Sequence, residues 1–326
     1  MPIVFLPGGW YHLVKNTVEV TFVEKIRKID IHAHATPFPE YAPKIKMFGG
    51  YHWISPKDVI GFYDELDIEK GVLLPLTAAE WQFEQITSAG CKHVSDMYPD
   101  RFLWFCGVDP RAAGYNENAD LSELLLFYKS IGARGMGELT ANLYADDPLM
   151  DNLFYHCAKC NMPVTIHIAP QFGNCYGIVD ELGLYRLESM LKKHPDLRIL
   201  GHSQPFWAEI GTNVDNENRG GVPKGKVEEG RIVELMRKYP NLSCDCSAGS
   251  GANALMRDPD FTERFFEEFS DRLLYGCDIC HPFNTHQYVF NEFLTKFRQD
   301  KRISEENYYK FVRGNAIKLL GLDEKE

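Results

Sequence analysis

Eight short apolar segments that alternate with helical stretches constrain the fold of this 326-residue chain more than any other feature. Such an alternation is typical of βα units that build a parallel sheet. The first segment is not followed by the G-x-G-x-x-G motif of a dinucleotide-binding open sheet. We therefore predict the α/β class and a (β/α)8 TIM barrel. The predicted strands are Lys28–His34, Lys70–Thr77, Phe102–Pro110, Ala133–Thr140, Pro163–Ala169, Arg198–Ser203, Asn241–Ser247 and Leu273–Cys280. The helices predicted between them include Pro56–Leu66, Leu121–Lys129, Pro148–Cys160, Tyr185–His194, Lys226–Lys238, Phe261–Phe269 and His286–Phe297.

The predicted domain organisation is one barrel domain, residues 29–326, preceded by a short N-terminal extension, residues 1–28. Within the extension, the alternating residues Thr17–Val23 suggest a hairpin. Three long connections follow the first, fifth and sixth strands, at residues 36–55, 170–184 and 204–225. Barrel enzymes build their pockets from the loops after the strands, so we expect these three to form the substrate pocket.

The charge balance limits the classes of partner. Lys and Arg number 35 against 46 Asp and Glu, a net charge of −11, which argues against nucleic acid or an anionic membrane. No apolar run approaches 18 residues, and the N-terminus lacks the basic start of a signal peptide. Nine cysteines, an odd number, favour buried thiols in a reducing compartment. We therefore expect a cytoplasmic protein that acts on a small molecule.

Two histidines in the first predicted strand are the first candidates for chemistry. His32 and His34 lie two positions apart, so their side chains point to the same face of a strand. Two imidazoles on one face supply two of the three or four protein ligands that a catalytic zinc-type ion needs. An H-x-H pair also occurs by chance, as two core or surface histidines.

Further residues of the metal-binding type follow later strands. Glu138, His167, His202 and Asp278 each come at the carboxyl end of a predicted strand, where a barrel places its active site. Each has an ordinary structural interpretation: a hydrogen-bonded core histidine, a helix cap, or, for Glu138, an ion pair with Arg134 or a loop lysine. Six such residues at strand ends would nevertheless converge in a barrel.

These motifs resemble those of the amidohydrolase superfamily. The relevant stretches are Ile-Asp-Ile-His-Ala-His at Ile29–His34, the strand ends Thr-Ile-His, Leu-Gly-His and Tyr-Gly-Cys-Asp, and the closing Gly314–Leu322. The chain is most similar to the amidohydrolase-related branch, which includes metal-dependent hydrolases and aminocarboxymuconate-semialdehyde-type decarboxylases. The resemblance implies that His32, His34, His167 and Asp278 bind one divalent ion. It implies that His202 is a second-metal ligand or a catalytic acid–base.

Two departures from the decarboxylase pattern bear on the reaction. That subset often has Gly-His-x-Gly-Glu after strand six, whereas this chain reads Gly-His-Ser-Gln-Pro-Phe-Trp at Gly201–Trp207. The subset also lacks a carboxylate at the position of Glu138, which instead resembles the bridging carboxylate of TatD-like and other binuclear hydrolases. With Glu138 shared, His167 and His202 would hold a second ion. Zinc suits histidine-rich ligation best, while manganese, iron or cobalt would also be accepted.

The reaction predicted is hydrolysis of a C–N or C–O bond in a small amide, lactone or ester. A divalent ion lowers the pKa of bound water toward ~7, Asp278 would take the water proton, and His202 would polarise the carbonyl. The alternatives are a non-oxidative decarboxylase of an aromatic or unsaturated carboxylic acid, and a catalytically silent barrel used for binding. We expect a homodimer. The residues expected to line the substrate pocket are Trp81, Asn174, Gln204, Trp207 and His281.

Overall fold

The computed structural model describes residues 25–44, 50–81 and 86–323. The hairpin predicted at Thr17–Val23 lies outside these residues, and the division of the chain at residue 28 stays a prediction. None of the described helices is long and apolar enough to span a membrane. All nine cysteines are free thiols, and seven of them are buried.

All eight predicted strands are present, and every strand pair is parallel. The strands pair in two groups, β1-β2-β3 and β4-β5-β7-β8-β9, with a short extra strand, β6, beside the end of β5. Most are shorter than predicted because the chain leaves regular pairing where the loops begin. Their bounds are β1 Lys28–Ala33, β2 Ile68–Leu73, β3 Phe102–Trp104, β4 Met136–Leu139, β5 Val164–Ala169, β6 Ile178–Val179, β7 Ile199–His202, β8 Leu242–Asp245 and β9 Leu273–Leu274.

Two seams of hydrogen bonds join these groups into a ring. Between β3 and β4, the amide of Cys106 donates to Gly135 O and the amide of Gly137 donates to Cys106 O, both at 2.9 Å. Between β9 and β1, the amide of Ile31 donates to Tyr275 O at 3.1 Å. The amide of Asp278 donates to the carbonyl of His32 at 2.7 Å. The architecture is therefore the predicted TIM barrel.

Helices surround the strands and follow the predicted spans, with five additions at Ser88–Met97, Gln204–Ala208, Ala248–Met256, Glu305–Tyr309 and Asn315–Leu320. The helix predicted at Lys226–Lys238 begins only at Arg231, because Glu229 pairs with Gly211 and the amide of Gly230 donates to Ile210 O. The bounds are α1 Pro56–Glu65, α2 Ser88–Met97, α3 Ser122–Ser130, α4 Pro148–Lys159, α5 Tyr185–Lys193, α6 Gln204–Ala208, α7 Arg231–Lys238, α8 Ala248–Met256, α9 Pro259–Phe269, α10 His286–Gln299, α11 Glu305–Tyr309 and α12 Asn315–Leu320.

The last helix covers the amino-terminal end of the barrel. Ala316, Ile317 and Leu320 of α12 pack with buried side chains from the strands, including Ile29 and Leu274. The side-chain amide of Asn315 donates to the carbonyls of Ser270 and Leu273 at 2.6 and 2.8 Å. One end of the barrel is thereby closed with apolar side chains, and the other end is left to the loops that carry the candidate ligands.

A buried carboxylate fixes the first strand before its histidines. Asp30 accepts hydrogen bonds from the amides of His32 and Cys277, both at 2.9 Å, and from the Tyr63 hydroxyl at 2.8 Å. Burial raises the pKa of Asp30 to about 7 against the lowering effect of these bonds. Tyr63 reaches Asp30 across Gly71 of β2, where a Cβ atom would stand 1.9 Å from the Tyr63 hydroxyl oxygen.

Gly71→Ala should therefore destabilise the protein by about 1–3 kcal/mol, because the added methyl group displaces the Tyr63 ring from a close-packed site. Gly61→Ala is the matched control: a Cβ at Gly61, in the exposed middle of α1, meets nothing within 4 Å. That substitution should stabilise α1 by roughly 0.5–1 kcal/mol. Urea denaturation of both variants measures the difference, and equal stability of the two would contradict this account of Tyr63.

Candidate metal centre

The two histidines of β1 present their Nε2 atoms to each other. Those atoms lie 3.1 Å apart. His32 Nδ1 lies 2.6 Å from Asp245 Oδ2, and His34 Nδ1 lies 2.9 Å from the carbonyl oxygen of Leu74. Both Nδ1 partners are acceptors, so each Nδ1 carries a proton, and each Nε2 offers a lone pair when its ring is neutral, as metal binding requires. Two lone pairs that face each other at this distance favour a cation between them.

Two carboxylate oxygens complete a first group of ligand atoms. Glu138 Oε2 lies 3.6 Å from His32 Nε2 and 3.4 Å from His34 Nε2. Asp278 Oδ1 lies 3.7 and 3.5 Å from the same two nitrogens. Tetrahedral ligands 2.0–2.1 Å from a zinc ion would lie about 3.3 Å apart. The spacing and the nitrogen–oxygen donor set therefore fit a divalent ion such as zinc.

A second group of atoms surrounds the other oxygen of Glu138. His167 Nδ1 lies 2.5 Å from Glu138 Oε1, and His202 Nε2 lies 3.9 Å from it. His202 Nε2 also lies 3.9 Å from Asp278 Oδ2. The ligand atoms of Glu138, His167 and His202 all fall within 4.8 Å of one another. The carboxylate of Glu138 thus stands between two groups of histidines.

The electrostatics of the centre favour bound positive charge. Burial opposes ionisation of Glu138, but the imidazoles of His167, His32 and His34 hold the pKa of this carboxyl well below its ordinary value. Burial would likewise lower the pKa of His32, but the carboxylates of Asp245 and Asp278 raise it well above the ordinary value. Burial and the neighbouring His32 lower the pKa of His202 to about 4, so His202 is neutral at pH 7.

Asp245, at the end of β8, is a site residue that the sequence analysis missed. It is fully buried, and besides contacting His32 it accepts a hydrogen bond from the amide of Ser247 at 3.0 Å. The Ser247 hydroxyl in turn lies 3.1 Å from His202 Nδ1. Asp245 and Asp278 both lie near the carboxyl end of a predicted strand. The search for metal-type residues at strand ends that selected Asp278 would therefore also have selected Asp245.

Aromatic rings join the two histidine groups along one side of the centre. The ring centroids of His34 and Trp53 lie 5.6 Å apart, those of Trp53 and Trp81 5.9 Å, those of Trp81 and Tyr176 4.3 Å, and those of Tyr176 and His167 4.5 Å. We call Trp53, Trp81 and Tyr176 the aromatic wall. Burial and the carboxylates of Glu138 and Asp278 raise the pKa of Tyr176 well above its ordinary value, so its hydroxyl keeps its proton.

The other predicted pocket residues lie in different surroundings. Trp207 is buried behind β8, where its indole N–H donates to the carbonyl of Asp245 at 3.0 Å. Asn174 and Gln204 are exposed, and Gln204 begins α6. His281 is half-buried, and its Nδ1 accepts a hydrogen bond from the amide of Phe283. Of the five, only Trp81 lies in the aromatic wall, and contact of any of them with a substrate stays a prediction.

The amidohydrolase family model matches residues 29–322 of the chain. The chain belongs to the amidohydrolase family. None of the curated proteins matches its sequence, but many solved structures share its fold. A TIM-barrel protein of Bordetella bronchiseptica has 17% identity and a TM-score of 0.61, and covers 91% of this chain and 99% of its own.

Two other similar structures belong to proteins described as a decarboxylase and as an amidohydrolase. The 2,6-dihydroxybenzoate decarboxylase of Rhizobium has 16% identity and a TM-score of 0.58, over 91% of this chain and 99% of its own. An amidohydrolase of Burkholderia multivorans with bound zinc has 12% identity and a TM-score of 0.59, over 91% and 100%. At these identities the likeness shows the shared fold, and it leaves the reaction of this chain open.

Asp245→Asn should weaken zinc binding by about 10–100-fold, because the neutral amide no longer fixes His32 with Nδ1 protonated and Nε2 free. Competition with a chromogenic chelator at constant pH measures the affinity. Asp258→Asn is the matched control, since Asp258 is also buried but caps α9 away from the ligand atoms. Zinc affinity equal to wild type in Asp245→Asn would show that this carboxylate does not support the centre.

Proposed function

We propose that this protein is a metal-dependent hydrolase that cleaves a C–N or C–O bond of a small amide, lactone or ester. One observation carries the proposal: the two oxygens of Glu138 face different groups of histidines, Oε2 towards His32 and His34 and Oε1 towards His167 and His202. A carboxylate placed in this way suits a centre that holds two cations. Membership of the amidohydrolase family supports an enzymatic role.

The first group of residues would hold one ion through His32, His34 and Asp278, and the second would hold another through His167 and His202, with Glu138 between them. When bound, divalent ions of this kind make water a nucleophile at neutral pH and polarise the carbonyl under attack. Zinc is the ion that the nitrogen-rich donor set favours, and manganese, iron and cobalt would also be accepted.

Asp278 is the residue placed to move the proton. Its side chain is 22% exposed, whereas Glu138 and both histidines of β1 are at most 4% exposed, so Asp278 is the carboxylate that water reaches. We assign it the proton of the attacking water and delivery of that proton to the leaving group. His202 Nε2 lies 3.9 Å from Asp278 Oδ2, and the ring is neutral at pH 7. This nitrogen would either bind the second ion or, in the alternative role, orient the carbonyl oxygen without adding a charge.

Metal content per chain tests the bridging role without any substrate. Protein purified without chelator should carry two ions, and Glu138→Ala should carry one or none, because it removes an oxygen from both groups. Glu123→Ala, on the exposed side of α3, is the control and should keep two. One ion in both wild type and Glu138→Ala would remove the bridge and favour the second reaction below. No metal in any of them would contradict a metal enzyme and support a binding role.

A second candidate, non-oxidative decarboxylation of an aromatic or unsaturated carboxylic acid, is favoured by the aromatic wall. Trp81 and Tyr176 offer ring faces beside His167, against which a flat conjugated acid stacks well. In that reaction His202 would deliver a proton to the ring carbon that loses its carboxylate, and because it is neutral at pH 7 it would first take that proton up from water.

Turnover in oxygen-18-labelled water separates the two reactions, once a substrate has been found by screening lactones, amides and aromatic acids. Hydrolysis should place one solvent oxygen in the organic product. Decarboxylation should release carbon dioxide and leave the organic product unlabelled. Label in the product would exclude the second candidate, and unlabelled product with carbon dioxide would exclude the first. A cytoplasmic location and a homodimer stay predictions.

A further inference from the structure

The amino-terminal end of the barrel carries a groove that is remote from the metal centre. Its volume is about 640 Å³, within the usual range of small-molecule pockets. The segments that form it precede β5, β7 and β8 and end α12, whereas the ligand atoms follow the strands at the opposite end. We call it the basal groove.

The basal groove is lined by more cations than anions. Four basic side chains border it, Lys129, Arg134, Arg198 and Lys318, against two acidic ones. One of the acidic residues, Asp271, already pairs with Lys310 at 3.1 Å. The whole chain, in contrast, has a net charge of −11, so the positive charge is a local property of this groove.

The arginines at this groove lack the ion pairs that most other arginines of the described chain form. Elsewhere in the described chain, nine arginines form ion pairs: Arg101, Arg111, Arg186, Arg219, Arg231, Arg237, Arg298, Arg302 and Arg313. Arg134 and Arg198 form none within the described residues, and neither does Arg272 beside the groove. Arg134 donates to the carbonyl of Leu320 at 3.3 Å, and Arg198 to the Ser243 hydroxyl at 3.2 Å.

The charge of Arg198 also acts on Arg272, which lies beside the groove. Burial lowers the pKa of both guanidinium groups, and the nearby Arg198 lowers that of Arg272 further. Arg272 is held beside the groove by its hydrogen bonds to the carbonyls of Tyr239 and Leu242, at 3.0 and 3.3 Å. Arg134 and Arg198 line the open groove and form no ion pair within the described residues. Guanidinium groups in such a position are stabilised by an anion that enters the cavity.

We propose that the basal groove binds a phosphate group, either free or carried by a small molecule. Guanidinium groups donate paired N–H bonds that match the oxygens of a phosphate, and lysines add point charges. Four basic side chains stand against Asp196 and Asp271, and Asp271 already pairs with Lys310, so the excess of positive charge favours a dianion. Binding there would connect the starts of β5, β7 and β8 with the end of α12. This proposal does not depend on the reaction at the metal centre.

Calorimetric titration with inorganic phosphate at constant ionic strength tests it. Wild type should bind one phosphate saturably, and Arg198→Gln and Arg134→Gln should each lower the affinity at least tenfold. Arg264→Gln is the matched control, because Arg264 also forms no ion pair among the described residues but lies on α9, outside the groove. It should bind as wild type does. Circular dichroism verifies that each variant is folded.

The remaining outcomes each decide the question. If the natural ligand is free phosphate, glycerol phosphate should bind more weakly than inorganic phosphate. If the natural ligand is a phosphate ester, glycerol phosphate should bind as tightly as inorganic phosphate or more tightly. Saturable binding that the two groove variants leave unchanged would place the anion at the metal centre and overturn the proposal. Absence of binding to wild type at millimolar phosphate would also overturn it. Metal content, measured on the same samples, reports separately on the proposed hydrolase centre.

Discussion

The candidate site depends on the contact between His32 and His34. Their Nε2 atoms lie 3.1 Å apart, and neither ring is free to turn away, because Asp245 and the Leu74 carbonyl hold the opposite nitrogens. The barrel maintains this crowded arrangement by fixing β1 on both sides. Asp30 anchors the strand before the histidines, and the hydrogen bond from the Asp278 amide to the His32 carbonyl fixes it at the ligand itself.

In the candidate site, one set of residues supplies the ligand atoms and another set orients them. The candidate ligand atoms come from five different strand ends, and the residues that orient them come from another, namely Asp245 and Ser247 at the end of β8. The aromatic wall lies along one side of the centre, from His34 to His167. Barrels described as a decarboxylase and as an amidohydrolase share this fold. Under the proposed function, the number of cations at Glu138 would distinguish the two reactions.

The sequence predicts the barrel and the ligand cluster well, because both follow from simple periodicities. The eight strands stand out as apolar runs, and the six ligand-type residues converge because parallel strands end at the same edge. Asp245 was missed although it ends a predicted strand, since no resemblance drew attention to it. Tyr176 and Trp53 could not be found in this way, because they sit in long loops whose course depends on contacts such as those of Asn142 with Gly173 and Gly177. Trp207 looks like a loop residue in sequence but packs behind β8, because α6 begins immediately after β7.

The pairing of β9 with β1 would give the proposed metal centre a role in folding as well as in chemistry. His32 and Asp278 stand almost at the two ends of the barrel in sequence, yet their side chains lie 3.7 Å apart. A cation held by both would be a cross-link that closes residues 32–278 into one loop, much as a long-range disulfide does. Part of the free energy of metal binding would then be free energy of folding. Loss of such an ion would loosen the first and last strands together, so the proposed chemistry and the closure of the barrel would depend on the same atoms.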